Sequence, residues 1–146
     1  MSRILQIFFL ALVMGCQGVD KTDEASDLAL INLWSGPYYP SLLFKVKSNG
    51  DLLLYRNMKG KDTTCKFTLS KSAENALLVA VRNAHDEIKQ VPPRVGFADG
   101  WNIAIVLQDD KAGSAKIMNY PQGRDDWQFV PVLFTELHKT VPNKYW

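Results

Sequence analysis

Phe44-Lys45-Val46-Lys47-Ser48-Asn49-Gly50-Asp51-Leu52-Leu53-Leu54-Tyr55 is the stretch that decides the fold. Asn49-Gly50 is a two-residue hairpin signal, since both residues tolerate positive φ. A two-residue loop fixes the register: Ser48 faces Asp51, Lys47 faces Leu52, Val46 faces Leu53, Lys45 faces Leu54 and Phe44 faces Tyr55. Cross-strand partners share a face. The expectation is a core face of Phe44, Val46, Leu53 and Tyr55, with Lys45 and Lys47 sharing the other face with Leu52 and Leu54. Lysine stems can lie over such leucines with their charges in water. Cover by another element or a partner is the other reading of that face.

Working outward, residues 28–34 are apolar and read as a strand before the hairpin. Residues 35–40 form a loop, by Gly36, Pro37 and Pro40. After the hairpin, Gly60-Lys61-Asp62 turns the chain. Residues 63–69 then alternate, with Cys65, Phe67 and Leu69 on one side and Thr64, Lys66 and Thr68 on the other, a third antiparallel strand with one wet face. Ser70 is a candidate N-cap. Ala73, Ala76, Leu77, Ala80, Val81, Ala84 and Ile88 follow helical spacing, with Glu74, Arg82, His85, Asp86 and Lys89 opposite. Pro92 and Pro93 stop that helix. Residues 101–107 are apolar on both faces and read as a central, doubly covered strand. A turn over residues 109–113 and a strand over 114–120 follow. A last helix carries Val130, Leu133, Phe134, Leu137 and Val141, with Pro131 early in it and Pro142 ending it. The order is strands, helix, two strands, helix. This is an α+β class with a mostly antiparallel sheet of about five or six strands and two helices.

The hairpin run Phe44 to Asp51, the strand after it, Phe67-Thr68-Leu69-Ser70 opening a helix, and the Ser35-Gly36-Pro37 loop resemble a group of small, uncharacterised secreted bacterial domains. The resemblance spans residues 28–141. It implies an order of elements and no activity. Members commonly carry cysteines in the loop, where this chain has Tyr38 and Tyr39.

The N-terminus sets the expected location. Arg3 precedes an apolar run over residues 4–14, broken only by Gln6, and the run is short of the roughly 20 residues that cross a bilayer as a helix. A charged start, a short apolar run and a small residue are the parts of a secretory signal peptide. Val13-Met14-Gly15-Cys16 resembles the lipobox of bacterial lipoproteins. That resemblance implies cleavage between Gly15 and Cys16, with a diacylglycerol on the Cys16 thiol and often an acyl group on its new amine. Two or three acyl chains anchor a protein far more firmly than one, at about 0.8 kcal/mol per buried methylene. Gln17, not Asp, follows the cysteine; in a Gram-negative source this favours the periplasmic face of the outer membrane. Residues 1–15 are thus the expected signal peptide, 16–27 a polar flexible tether of roughly 18 Å root-mean-square span, and 28–146 a single domain. Removing residues 1–15 leaves 146 − 15 = 131 residues and, with Arg3 gone, changes the formal charge from +2 to +1. Acidic and basic residues are interspersed, so no nucleic-acid partner is expected. With Cys16 taken by lipid, Cys65 is expected to be a lone, buried thiol.

No catalytic constellation emerges. His85 and His138 read as surface helix residues. Two histidines and one thiol on separate elements give no zinc spacing. Asp109-Asp110 and Asp125-Asp126 lack the alternating pattern of a calcium loop. Neither a cofactor nor an enzyme activity is expected. The aromatics Trp34, Tyr38, Tyr39, Phe97 and Trp101 lie at strand ends and in loops, where exposed rings anchor interfaces; the competing reading is that they plug the ends of the core. The expected function is a membrane-anchored, non-enzymatic envelope lipoprotein. It would meet membrane lipid through Cys16 and an envelope protein through its domain, as inhibitor, immunity or assembly-accessory proteins do. The alternative is a small-ligand or cell-wall-fragment binder.

Overall fold

The computed structural model of the chain describes residues 25–35, 38–90, 101–109, 115–120 and 127–146, with the backbone alone of Trp101 and of residues 115–120. The expectations for the signal peptide, Cys16, most of the tether, Phe97, Asp110 and Asp125-Asp126 lie outside the described residues. Strands β1 (Asp27–Trp34), β2 (Ser41–Lys47), β3 (Asp51–Met58) and β4 (Lys61–Thr68) precede helix α1 (Lys71–Gln90). Strands β5 (Trp101–Leu107) and β6 (Ala115–Tyr120), helix α2 (Phe129–Thr140) and a 3-10 turn (Asn143–Tyr145) follow. The sheet has six strands in the order β4-β3-β2-β1-β5-β6, and every pairing is antiparallel. The α+β class and the order of elements hold.

The hairpin register does not. Val46 pairs with Leu52, Lys45 with Leu53 and Phe44 with Leu54, one residue away from the expected pairing. The cause lies in the turn. Gly50 has φ +85°, whereas Asn49 does not have the positive φ that a two-residue type I′ turn requires of both residues. Ser48, Asn49 and Gly50 form a three-residue loop instead, closed by Gly50 N–H donating to the Lys47 carbonyl at 3.2 Å. Asn49 Oδ1 accepts from the Asp51 N–H at 3.1 Å and so favours that loop. The two-residue geometry occurs at the next hairpin, where Lys59 (φ 53°) and Gly60 (φ 77°) join the paired Met58 and Lys61.

A one-residue slip exchanges the faces of a whole strand. Leu52 and Leu54 therefore join Phe44 and Val46 in the core, beside Ala29, Ile31, Leu33, Leu42, Phe67, Ile103 and Ile105. Leu53 and Tyr55 move to the face with Lys45 and Lys47. Leu53 is nonetheless only 2% exposed. Its register partners are Lys45 and Lys66. Lys45 Nζ lies 5.1 Å from the centre of the Tyr55 ring, and Lys66 Nζ lies 2.6 Å from Asp51. Leu53 thus lies between two lysines whose charges find partners on either side of it, an arrangement in which their apolar stems can cover it.

The β5 strand is one place in from the sheet edge. Ile103, Ile105 and Leu107 are buried, but Val106 is exposed and Asn102 and Ala104 are half-buried, so the expected double cover is absent. Val106 shares that open face with its half-buried register partner Leu30 on β1.

The α1 helix packs against α2, β5 and β6. Ser70 caps it, its Oγ accepting from the Ala73 N–H at 3.2 Å. The buried stripe is Glu74, Leu77, Ala80, Val81, Ala84, His85 and Ile88. Ala76 is exposed, and Glu74 and His85 are inside, against expectation. The helix is turned about its axis because Ala73 and Ala76 have little area to bury, while Glu74 gains the Lys71 ammonium at 3.0 Å. The α2 helix has no side-chain N-cap of its own and no acidic residue in its first turn. Glu87 of α1 supplies both. Its carboxylate accepts from the N–H groups of Gln128, Phe129 and Val130 at 2.7, 2.9 and 2.8 Å. One side chain thereby satisfies three orphan donors, complements the helix dipole and ties the helices together.

Candidate functional site

Strand directions divide the candidate residues between the two ends of the sheet. The chain enters β1 at Asp27, beside the Ser48 turn, where Ser48 N–H donates to the Ser26 carbonyl at 2.9 Å. Lys47 Nζ holds Asp27 at 2.9 Å and fixes that entry. Asp51 sits at this end too. Lys66, the Thr68 hydroxyl at 3.0 Å and Asn49 Nδ2 at 2.9 Å all bond its carboxylate. Burial pushes this carboxyl up; the Lys66, Thr68 and Asn49 bonds outweigh that and hold it below the ordinary carboxylate value. This cluster closes the hairpin and is structural.

The other end carries the aromatics. The β1–β2 connection leaves Trp34 and re-enters at Ser41. Tyr38 is 80% exposed and Tyr39 61%, while the neighbouring Pro40 is buried and seats the loop. Trp34 is half-buried; its carbonyl accepts from Asn102 Nδ2 at 3.2 Å, which locks β1 to β5. Trp101 opens β5 at the same end, its backbone paired with Tyr120. The Lys59-Gly60 turn reaches this end as well, because Ser41 pairs with Asn57. Of the five candidate aromatics, the structure thus brings Trp34, Tyr38, Tyr39 and the backbone of Trp101 to one end, where Tyr38 and Tyr39 are exposed and Trp34 is half-buried.

The remaining aromatics at the C-terminus behave in the opposite way. Trp146 lies against Phe44 (ring centres 5.7 Å apart) and Phe134 (6.3 Å), stacks on His138 at 3.9 Å, and donates its Nε1–H to the Val141 carbonyl at 3.3 Å. Tyr145 meets the Phe67 ring edge-on at 5.9 Å, and its carbonyl accepts from Arg56 Nε at 3.1 Å. The chain end is a plug over the β2–β4 side of the sheet. Nothing in its sequence separated it from an exposed tail, because Pro142 and Asn143 mark only the end of the helix.

The groups that could have carried chemistry are dispersed. His85 is 2% exposed, not a surface residue, and its Nδ1 lies 3.1 Å from Asp86. His138 is at the surface, under Trp146. Among the described residues no three His, Cys, Asp or Glu side chains gather as a metal site. Cys65 is buried as expected, but it is disulfide-bonded, not a free thiol. The chain's only other cysteine is Cys16, which lies outside the described residues. Compared with known protein families, curated proteins and solved structures, the chain matches none.

Proposed function

We propose that this chain is the precursor of a lipid-anchored bacterial envelope lipoprotein whose domain is a non-enzymatic protein-binding module. Val13-Met14-Gly15-Cys16 supports the anchor, and Gln17 favours the periplasmic face of the outer membrane. The observation that carries the binding role is the pair of tyrosines held out of a well-packed core at one end of the sheet. Tyrosine offers a large contact area for few rotatable bonds, which suits it to interface hot spots. Among the described residues no helix is long and apolar enough to cross a membrane, so acylated Cys16 is the attachment this reading relies on. The test is binding of the mature protein to envelope extracts with Tyr38→Ser/Tyr39→Ser as the control. Loss of one reproducible protein partner in the double variant supports the module. Retention of that partner, or specific retention of a cell-wall fragment in its place, overturns it.

The bonded state of Cys65 favours a second reading. One sulfur cannot hold both a diacylglycerol and a disulfide. If Cys16 bonds Cys65, cleavage lies upstream of a cysteine that keeps its thiol chemistry, and the product is a secreted, unanchored domain. The acyl group and the disulfide are exclusive, so a single mass measurement separates the two readings.

A further inference from the structure

We infer that the outer edge of β4 pairs antiparallel with β4 of a second copy of this chain, about a two-fold axis at Thr64, joining two sheets into one. This pairing does not depend on the anchor proposed above. The β4 strand ends the sheet, and among the described residues it pairs with β3 alone. Its eight residues keep one unbroken register with β3, without a bulge and without a proline. Such an edge is a template for another strand. The direction of its backbone groups is fixed at both ends. Met58 and Lys61 close the two-residue turn as a bonded pair. Just past the strand, Leu69 N–H donates to the Gly50 carbonyl at 2.9 Å. Bonded and non-bonded pairs alternate along an antiparallel ladder. Lys61, Thr63, Cys65 and Phe67 therefore turn their backbone groups to β3, while Asp62, Thr64, Lys66 and Thr68 turn theirs outward. Among the described residues nothing takes up the outward groups of Asp62 and Thr64.

The side chains select the partner and the register. Opposite charges across a strand pair stabilise it, and like charges destabilise it. Centring the pairing on Thr64 overlaps residues 61–67 and sets Asp62 opposite the partner's Lys66, and Lys66 opposite the partner's Asp62. Centring it on Cys65 overlaps residues 62–68 but sets Asp62 opposite Thr68 and Lys66 opposite Thr64. Centring on Asp62 or on Lys66 sets like charges face to face. The row Asp62-Thr64-Lys66 is thus self-complementary, as an isologous interface requires. Asp62 is exposed, accepts from Asn57 Nδ2 and has no ion pair among the described residues. Lys66 already holds Asp51 at 2.6 Å, yet its side chain is 48% exposed, which leaves room for a second carboxylate. Cys65 faces the core with its register partner Leu54, so its disulfide draws on neither the outward backbone groups nor the charged row.

The test is sedimentation equilibrium with amide exchange on the full chain expressed and processed in cells, from about 1 μM to 1 mM protein. Excess detergent micelles keep acyl chains from joining copies. The expected result is a monomer–dimer equilibrium in which exchange at the Asp62, Thr64 and Lys66 N–H groups slows as the dimer forms. Asp62→Lys sets like charges opposite each other and should raise the dissociation constant about tenfold. Thr64→Pro removes an outward N–H that β3 does not use, and should leave a monomer. Both variants should unfold thermally as the wild-type monomer does; should the proline variant fail to fold, Asp62→Lys decides. A monomer throughout the series overturns the pairing. So does a dimer protected elsewhere, or one indifferent to Asp62→Lys. Edge N–H groups equally protected at every concentration would show the edge filled by something other than a second copy, and overturn it too.

Discussion

Tyr145-Trp146 and Tyr38-Tyr39 are dipeptides of nearly the same chemistry placed in opposite surroundings. The first ends the chain yet packs on Phe44, Phe67, Phe134 and His138. The second lies in the middle of the first hairpin of the sheet yet extends into solvent. The difference is topological. The 3-10 turn lays the C-terminus over β2–β4, whereas the main sheet contacts of α1 fall on β5 and β6. The β1–β2 connection leaves the end of the sheet and holds Tyr38 and Tyr39 exposed there. Aromatic composition alone therefore says nothing about role, and the placement of the neighbouring elements decides it. If the contrast holds, one pair matters for stability and the other for association.

The largest effect should come from the packed, half-buried pair. Trp146→Ala removes a half-buried indole with three ring contacts, and about 2–4 kcal/mol of unfolding free energy is expected to be lost in urea titrations. A loss below about 0.5 kcal/mol would place the C-terminus with the exposed pair instead. Glu87→Ala comes next. It strips three N–H groups at the start of α2 of their acceptor and should cost about 1–3 kcal/mol, with amide exchange rising first at Gln128 to Val130. Glu87→Gln, which keeps an acceptor but loses the charge, should recover part of that.

Asp51→Asn is smaller and depends on pH. The carboxyl is held below its ordinary value of about 3.9, so its contribution is present above that value and lost as pH falls through the lower value of the folded state. The stability gap between wild type and Asp51→Asn should be flat above about pH 5 and close below about pH 4. A gap that widens in acid would reverse the sign of the assignment. Smallest of all, Tyr38→Ser/Tyr39→Ser should alter stability by no more than about 0.5 kcal/mol while abolishing partner recovery. A large loss of stability there would show that the exposed pair is as structural as the packed one.

How far the fold was legible follows the kind of signal. Alternation and helical spacing marked all six strands and both helices, because the period of burial is written in residue type. The hairpin register was not legible, since Asn49-Gly50 serves a two- or a three-residue loop equally well and only the φ of Asn49 distinguishes them. The buried face of α1 departs from the spacing at Glu74 and His85 because a polar side chain with a partner can be buried and an alanine need not be. The cap from Glu87 spans helices, so no local pattern carries it; its trace in the sequence is a second helix with no acid at its start. At the candidate site, the sequence left two readings of Tyr38 and Tyr39, anchor or plug, and the structure shows both rings exposed.

The most direct test of the account is the intact mass of the protein extracted from membranes, taken with and without thiol alkylation. The proposed anchor predicts a chain beginning at Cys16, heavier by a diacylglycerol and an acyl group, in which the Cys65 disulfide of the structure is absent and Cys65 accepts one alkylating group after unfolding. A chain with no lipid mass, two hydrogens lighter than its reduced form and taking two alkylating groups only after reduction, would contradict it.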